Sequence, residues 1–206
     1  MIETIRIEHF KKMFDIAYSE VKAKEKYFSE LDAQTGDGDH GTAIVTALNA
    51  VKNSMKQASD LKMMFTDAGF AAMSEASGST STLLGSWLMG MYDGVDGDEI
   101  DAKGVAAIFR AGLANMQKQT KAAVGDKTLM DALVPAVEAL ESNQESGIES
   151  MFAAATIAAE EGAKNTKALV AKFGRARNLK EKVIGYTDPG AASMACIWGA
   201  FEKSIK

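Results

Sequence analysis

Apolar residues recur at helical spacing along nearly the whole chain, and no other feature limits the fold as strongly. From Thr4 to about Leu31, the residues Phe10, Phe14, Ala17, Val21, Phe28 and Leu31 follow one another at steps of three, four or seven. That spacing is one face of a helix. A second helix is predicted from about Gly41 to Gln57, with Ile44, Leu48, Val51 and Met55 on its apolar side. Asp60 caps a third, which carries Leu61, Met64, Phe65 and Ala68. The fourth holds Leu83, Leu84, Trp87 and Met91. The fifth, capped near Asp101, holds Val105, Ile108, Phe109, Leu113 and Met116. A sixth contains Leu129, Leu133, Val137 and Leu140. The seventh begins at Ser146-Gly147 and runs to about Val170, and the eighth begins at Asp188-Pro189-Gly190, with proline in its first turn. Only two prolines occur, Pro135 and Pro189, so little breaks these helices. No segment alternates as a strand does.

The expectation is an all-α fold: eight helices in an antiparallel up-and-down barrel or bundle, forming one domain over residues 1–206. Such an array has two ends. The loops after the first, third, fifth and seventh helices fall at the same end. Those loops contain Asp37, Ser79, Gly125 and Asp188, and they are the chemically unusual ones.

The stretch from Leu31 to Thr42 concentrates that chemistry. It holds Asp32, Asp37, Asp39, His40 and the glycines Gly36, Gly38 and Gly41. Carboxylates this close repel, and one stays protonated unless a cation neutralises them. A divalent cation with oxygen ligands, Mg²⁺ in the first instance, accounts for the pattern. The structural alternative is a solvated Gly/Asp turn capping the next helix. A calcium EF-hand does not fit, because a loop starting at Asp37 puts Thr42 at the turn-glycine position and Leu48 at the bidentate Glu position.

The other three loops carry groups suited to anions. Ser77 to Thr82 offers hydroxyls and backbone N–H groups at a helix start, or simply a Ser/Thr-rich cap. Gly125-Asp126-Lys127-Thr128 lacks the spaced first glycine and the preceding strand of a P-loop, so it is either a turn shaped by Asp126 or the lining of a base pocket. Phe173-Gly174-Arg175-Ala176-Arg177 supplies guanidinium groups for phosphate. His9 and His40 are the only histidines, which argues against Ser-His-Asp or Cys-His acyl transfer. His9 is expected to be exposed.

The net charge of −5 argues against a general nucleic-acid binder. An acidic chain that binds polyphosphate needs metal ions or helix N-termini for local positive potential. The single cysteine, Cys196, excludes an internal disulfide, and its neighbours Ala195 and Ile197 suggest a buried structural thiol. No apolar run nears the ~18 residues of a membrane span, and no signal peptide is evident, so a cytoplasmic location without membrane contact is expected.

Gly36-Asp37-Gly38-Asp39-His40-Gly41-Thr42 resembles the metal motif of the nucleotide-binding L subunits of dihydroxyacetone kinases. Gly125-Asp126-Lys127-Thr128, Pro135, Gly174-Arg175-Ala176 and Asp188-Pro189-Gly190-Ala191 follow in that family's order and at similar spacing. The resemblance implies an eight-helix antiparallel barrel holding ADP or ATP and two Mg²⁺ ions at one end. It implies Asp32, Asp37 and Asp39 as metal ligands, and these with Arg175 as the catalytic set. It places His40, Gly41, Thr42 and Ala43 at the phosphates, Ser79 and Thr80 in the second nucleotide loop, and Leu129 at the adenine. Arg175, Asp188, Pro189 and Gly190 complete the site. Thr120 stands where some relatives use a glycine on the nucleotide. The second loop departs from the family's usual Gly-Gly-x-Ser-Gly-Pro, reading Ser77-Gly78-Ser79-Thr80-Ser81-Thr82.

By the same resemblance, the chain passes phosphate to a short ketose held covalently on a separate K subunit. A free-standing L chain of this length suggests ADP that stays bound and is rephosphorylated by a phosphotransferase-system M subunit fed from phosphoenolpyruvate. The alternatives are an ATP-dependent kinase subunit for a related ketose, a nucleotide-binding regulator contacting a transcription factor, and a metal-dependent phosphatase.

Overall fold

The computed structural model describes residues 2–75 and 78–206, so Ser77 of the second loop lies outside the described residues. Among the described residues there are nine α-helices: α1 (Ile7–Ala23), α2 (Glu25–Ala33), α3 (His40–Met55), α4 (Leu61–Glu75), α5 (Ser79–Met91), α6 (Ala102–Gln117), α7 (Met130–Ser142), α8 (Ile148–Asn165) and α9 (Pro189–Ile205). No strand is present among them; Ile5 and Ile100 form one isolated antiparallel bridge. The helix predicted from Thr4 to Leu31 is therefore two helices. At Lys24 the backbone leaves helical values (φ −109°, ψ 12°), and α2 turns to pack on α3 and α9.

The remaining eight helices form a closed ring. In the order α1, α3, α4, α5, α6, α7, α8 and α9 each packs on the next, and α9 packs back on α1. Because most connections are short, successive helices run in opposite directions. This is the expected eight-helix up-and-down barrel, with α2 added against its wall.

Aromatic side chains fill the ring. Phe109 of α6 lies 5.0 Å from Trp198 of α9 and 5.7 Å from Phe152 of α8, ring centre to ring centre. Trp87 of α5 and Phe201 of α9 join this cluster, and Phe14 of α1 stands edge-on to Phe201 at 5.1 Å. All six are fully buried. Five helices thus meet in one set of large, rigid side chains, each burying on the order of 150–250 Å².

Local chemistry sets where the helices begin and end. Asp60, Asp101 and Asp188 accept the backbone N–H of Met63, Gly104 and Ala191 at 2.8, 2.8 and 2.7 Å, the expected caps. His9 is half-buried, not exposed, and its Nδ1 accepts the Arg6 N–H at the start of α1. Helix α5 starts at Ser79, earlier than Leu83, because the hydroxyls of Ser81 and Thr82 bond back to the Gly78 carbonyl and suit a helical first turn. Helix α8 stops at Asn165, short of Val170, where the Thr166 hydroxyl donates to the Ala163 carbonyl at 2.6 Å and the chain tightens into a 3₁₀ turn. Cys196 is half-buried on α9. No helix among the described residues is long and apolar enough to cross a membrane.

Pro135 lies inside α7 and cannot donate to the carbonyl of Asp131, four residues earlier. That carbonyl is met by Gly162 of α8, whose backbone comes so close that a Cβ there would overlap the oxygen. Proline on one helix and glycine on the next therefore set the α7–α8 spacing. Gly162→Ala is expected to lower stability by about 1–3 kcal/mol through overpacking, despite its better helix propensity. Urea unfolding followed by circular dichroism measures this, and an unchanged midpoint would show that the two helices can move apart freely.

Candidate functional site

Four parts of the chain meet at one end of the barrel: the segments between α2 and α3, α6 and α7, and α8 and α9, and Gly78 with the start of α5. They enclose an open cavity of about 480 Å³. Its wall includes His40, Ser79, Met130 and Pro189, which are the first residues of α3, α5, α7 and α9. The four loops singled out by their order in the sequence do share one face.

The acidic corner comes from the α2–α3 segment. Carboxylate oxygens of Asp32, Asp37 and Asp39 all lie within 4.8 Å of one another. Asp32 ends α2, and its Oδ2 accepts the backbone N–H of Gly38 at 2.9 Å and of His40 at 3.3 Å. Those two bonds fold the loop back over the end of α2, and Gly38 takes the required positive φ of 82°. Partial loss of water and the negative charge of Asp37 both push the Asp39 carboxyl above its usual range. The Arg175 guanidinium pairs with Asp37 and lies 3.9 Å from Asp39. Donors of this type, three to a corner and open to solvent, suit a hard divalent cation.

Beside the acids, the buried His40 ring links three of the segments. Its Nε2 lies 2.9 Å from Ser193 Oγ of α9, and its Nδ1 lies 3.2 Å from Thr80 Oγ1 of α5. Ser193 donates its one proton to the Gly190 carbonyl at 3.0 Å. It must then accept from Nε2–H, which leaves Nδ1 to accept from Thr80. Burial pushes the His40 pKa down and favours the neutral ring.

The far wall is a turn and a strap. The Asp131 carboxylate accepts the N–H groups of Gly125 and Thr128 at 2.6 and 2.7 Å and so fixes the turn that opens α7. Asp126 accepts from Ala123 N–H, as expected for a turn it shapes, and pairs with Lys172 Nζ at 2.6 Å. The segment from 169 to 187 is not an α-helix; it makes 3₁₀ turns between Arg175 and Val183, broken at Lys180. It brings Phe173, Gly174, Arg175 and Ala176 to the cavity.

Of the residues expected at this site, Asp32, Asp37, Asp39, His40, Ala43, Ser79, Thr80, Thr120, Leu129, Arg175, Asp188, Pro189 and Gly190 line the cavity. Gly41 and Thr42 do not. Gly41 is packed against the backbone of α2 near Glu25 and Ser29, and the Thr42 hydroxyl reaches Glu25 at 3.3 Å. Helical rotation turns this pair away from the face shared by His40 and Ala43. Arg177 is exposed outside the wall. Sequence reading missed Ser193 and Asp131, and it offered Lys127 as a turn or pocket-lining residue without its burial. For Ser193 the only trace was a serine one turn after Gly190, among the apolar residues that precede Glu202 on α9.

The DAK2 domain model matches residues 34–203. The chain is 35% identical over 182 residues to a Listeria innocua protein named PEP-dependent dihydroxyacetone kinase 1, ADP-binding subunit DhaL, with 87% of each chain covered. It is 30% identical over 176 residues to the like-named Escherichia coli subunit, covering 83% of this chain and 84% of that one. A D-erythrulose kinase of Mycolicibacterium smegmatis is 32% identical over 191 residues, which is 89% of this chain but 33% of that protein. A crystal structure of the dihydroxyacetone kinase from C. freundii in complex with AMP-PNP and Mg²⁺ superposes with a TM-score of 0.74 at 24% identity. It covers 94% of this chain and 33% of that one, and at this identity it speaks to the fold.

Asp188 gives the site a pH signature. The residue is half-buried and opens on the cavity, but protein atoms crowd its carboxyl group, and this desolvation raises its pKa to about 7. An acid with a raised folded-state pKa holds its proton longer than the unfolded chain does, so its contribution to stability falls as pH rises from about 4 to about 7. Asp188→Asn, which keeps the helix cap, is expected to flatten that part of the profile. Urea midpoints across this range test it, and an unchanged slope would contradict the assignment.

Proposed function

Because the chain belongs to the DAK2-domain family, we propose that it is the ADP-binding, phosphoryl-transfer subunit of a dihydroxyacetone (glycerone) kinase. The whole chain acts as one nucleotide-binding unit. The observation that carries the reading is the meeting of Asp32, Asp37, Asp39 and Arg175 at one corner of a cavity walled by four helix starts. A cavity of about 480 Å³ is within the usual size for a small-molecule site.

The three-aspartate cluster fits magnesium by the chemistry of its donors, and Asp32, Asp37 and Asp39 would hold it. Two ions balance three carboxylates and a diphosphate better than one. Bound Mg²⁺ supplies charge neutralisation at the phosphate oxygens. The protein's own groups do the rest. The N-terminal turn of α3, beginning at His40, directs backbone N–H groups towards phosphate. Ser193 and Thr80 hold the His40 ring in place, so that turn is pre-formed. Ser79 and Thr80 offer hydroxyls from the second loop. Leu129 gives the base an apolar surface, beside Thr120. Arg175 exchanges a carboxylate partner for phosphate when the carboxylates are neutralised, and its planar fork suits the charge that spreads over a transferring phosphoryl group. Asp188, Pro189 and Gly190 close the wall.

The receiving ketose is bound to a separate K subunit, and ADP is recharged by a phosphotransferase-system M subunit fed from phosphoenolpyruvate. What supports this over direct ATP exchange is the pattern of relatives. Those named ADP-binding subunits match over most of both chains, whereas the erythrulose kinase matches over a third of its own length.

Mass spectrometry of the purified protein is expected to find co-purified ADP that EDTA releases. Asp37→Ala is expected to lose Mg²⁺-dependent ADP retention and to slow phosphoryl transfer to the K-subunit-bound ketose by at least about 10²-fold. Normal transfer by this variant would remove the proposal.

A further inference from the structure

Two cations belong to the cavity wall, Arg175 and Lys127, and the mechanism above uses only the first. Lys127 is 3% exposed. Its φ is +59°, a backbone conformation that costs any residue bearing a Cβ. Burial also pushes its pKa down. A residue held against both penalties needs a compensating interaction, and its ammonium makes one. Nζ donates to the carbonyl of Thr166 and to the carbonyl of Tyr186, each at 2.5 Å.

These two carbonyls bracket the strap that carries Arg175. The Gly185 N–H donates to the Lys167 carbonyl at 2.8 Å, so residues 167–186 leave the barrel and return to the same point. The turn beside Lys127 grips the loop a third time. The Lys172 N–H donates to the Asp126 carbonyl at 3.1 Å, and its ammonium pairs with the Asp126 carboxylate. The turn itself is anchored to α7 through Asp131. A continuous chain of bonds thus runs from a rigid helix, through Lys127, to both ends of the strap. Arg175, near the middle, is otherwise 64% exposed in its side chain.

We propose that Lys127 is a positioning residue for Arg175: its ammonium clips the two ends of the 167–186 strap together and thereby holds the guanidinium at the acid cluster. The proposal rests on the nucleotide reading given above for its functional consequence, but the clip is testable without nucleotide. Lys127→Met keeps the length of the side chain and removes its donors, leaving both carbonyls unpaired.

Limited trypsin digestion reads the clip directly, because the strap contains Lys172, Arg175, Arg177, Lys180 and Lys182. In Lys127→Met the strap is expected to be cut about 10-fold faster, with all early cuts between residues 167 and 186. Arg175→Gln is expected to leave the cuts at Lys180 and Lys182 at their original rate. An unchanged rate in Lys127→Met overturns the proposal. So do early cuts spread through the helices, which would make Lys127 a support of the whole barrel. Hydrogen exchange on the unaltered chain is a second measurement that needs no variant. The Gly185 and Lys172 amides are expected to be protected, and exchange at the rate of an unstructured amide overturns the clip.

The positioning role is read from ADP affinity in Mg²⁺. Lys127→Met and Arg175→Gln are each expected to weaken it about 10-fold, and the double variant to be no weaker than the worse single within about twofold. Fully additive losses overturn the link to Arg175. If the unaltered chain does not bind ADP, the nucleotide reading falls, and digestion alone decides the clip.

Discussion

A closed ring of antiparallel helices in even number has a consequence for electrostatics that no single side chain supplies. Half of its helices begin at each end. Here α3, α5, α7 and α9 all begin at the cavity, and the first residue of each lies on its wall. Each start carries a partial charge of roughly +0.5 from the helix dipole, even where Asp32, Thr128 and Asp188 already meet the N–H groups of His40, Met130 and Ala191. Four such starts around one opening make a site for anions before any cation is added. This property depends on the ring being closed, and closure depends on α9 packing back on α1. Phe14 of α1, edge-on to Phe201 of α9, ties that seam to the aromatic cluster of Phe109, Trp198, Trp87 and Phe152.

The same parity of the ring made much of the site readable from sequence. Helical spacing located the elements, caps such as Asp60, Asp101 and Asp188 located their starts, and counting loops placed four of them on one face. No three-dimensional information entered that step. Pairing Asp32 with Asp37 and Asp39 needed more, because it required the loop to fold back on the end of α2. Two backbone N–H groups on the Asp32 carboxylate produce that fold, and the Gly38 conformation permits it.

What sequence could not yield were interactions between segments far apart in the chain whose side chains have no rhythm. Sequence left Lys127 in either a turn shaped by Asp126 or the lining of a base pocket, and neither reading gives its burial, which arises because Thr166 and Tyr186, distant in sequence, converge on it. The break at Lys24 carries no Gly or Pro to announce it. It follows from the packing of α2 on α3 and α9, a tertiary demand. Gly41 and Thr42 fell inside a motif and so looked like cavity residues, but in a helix His40 and Ala43, three apart, share a face and the two residues between them turn away from it.

Net charge sharpens the point about local potential. The chain is acidic, and its candidate site adds three carboxylates at one corner of an anion-attracting opening. Helix starts and aspartates do not form a single pole. The helix starts are spread around the wall, while the acids are gathered in the α2–α3 segment, beside the start of α3. An anion alone would meet attraction from one side and repulsion from the other. An anion accompanied by divalent cations satisfies both, since the cations sit with the carboxylates and the phosphates with the N–H groups. On the proposed reading, the arrangement favours a metal–polyphosphate pair over either component alone. Arg175 pairs with Asp37 in the structure and lines the cavity, so its guanidinium is within reach of both the acids and the opening.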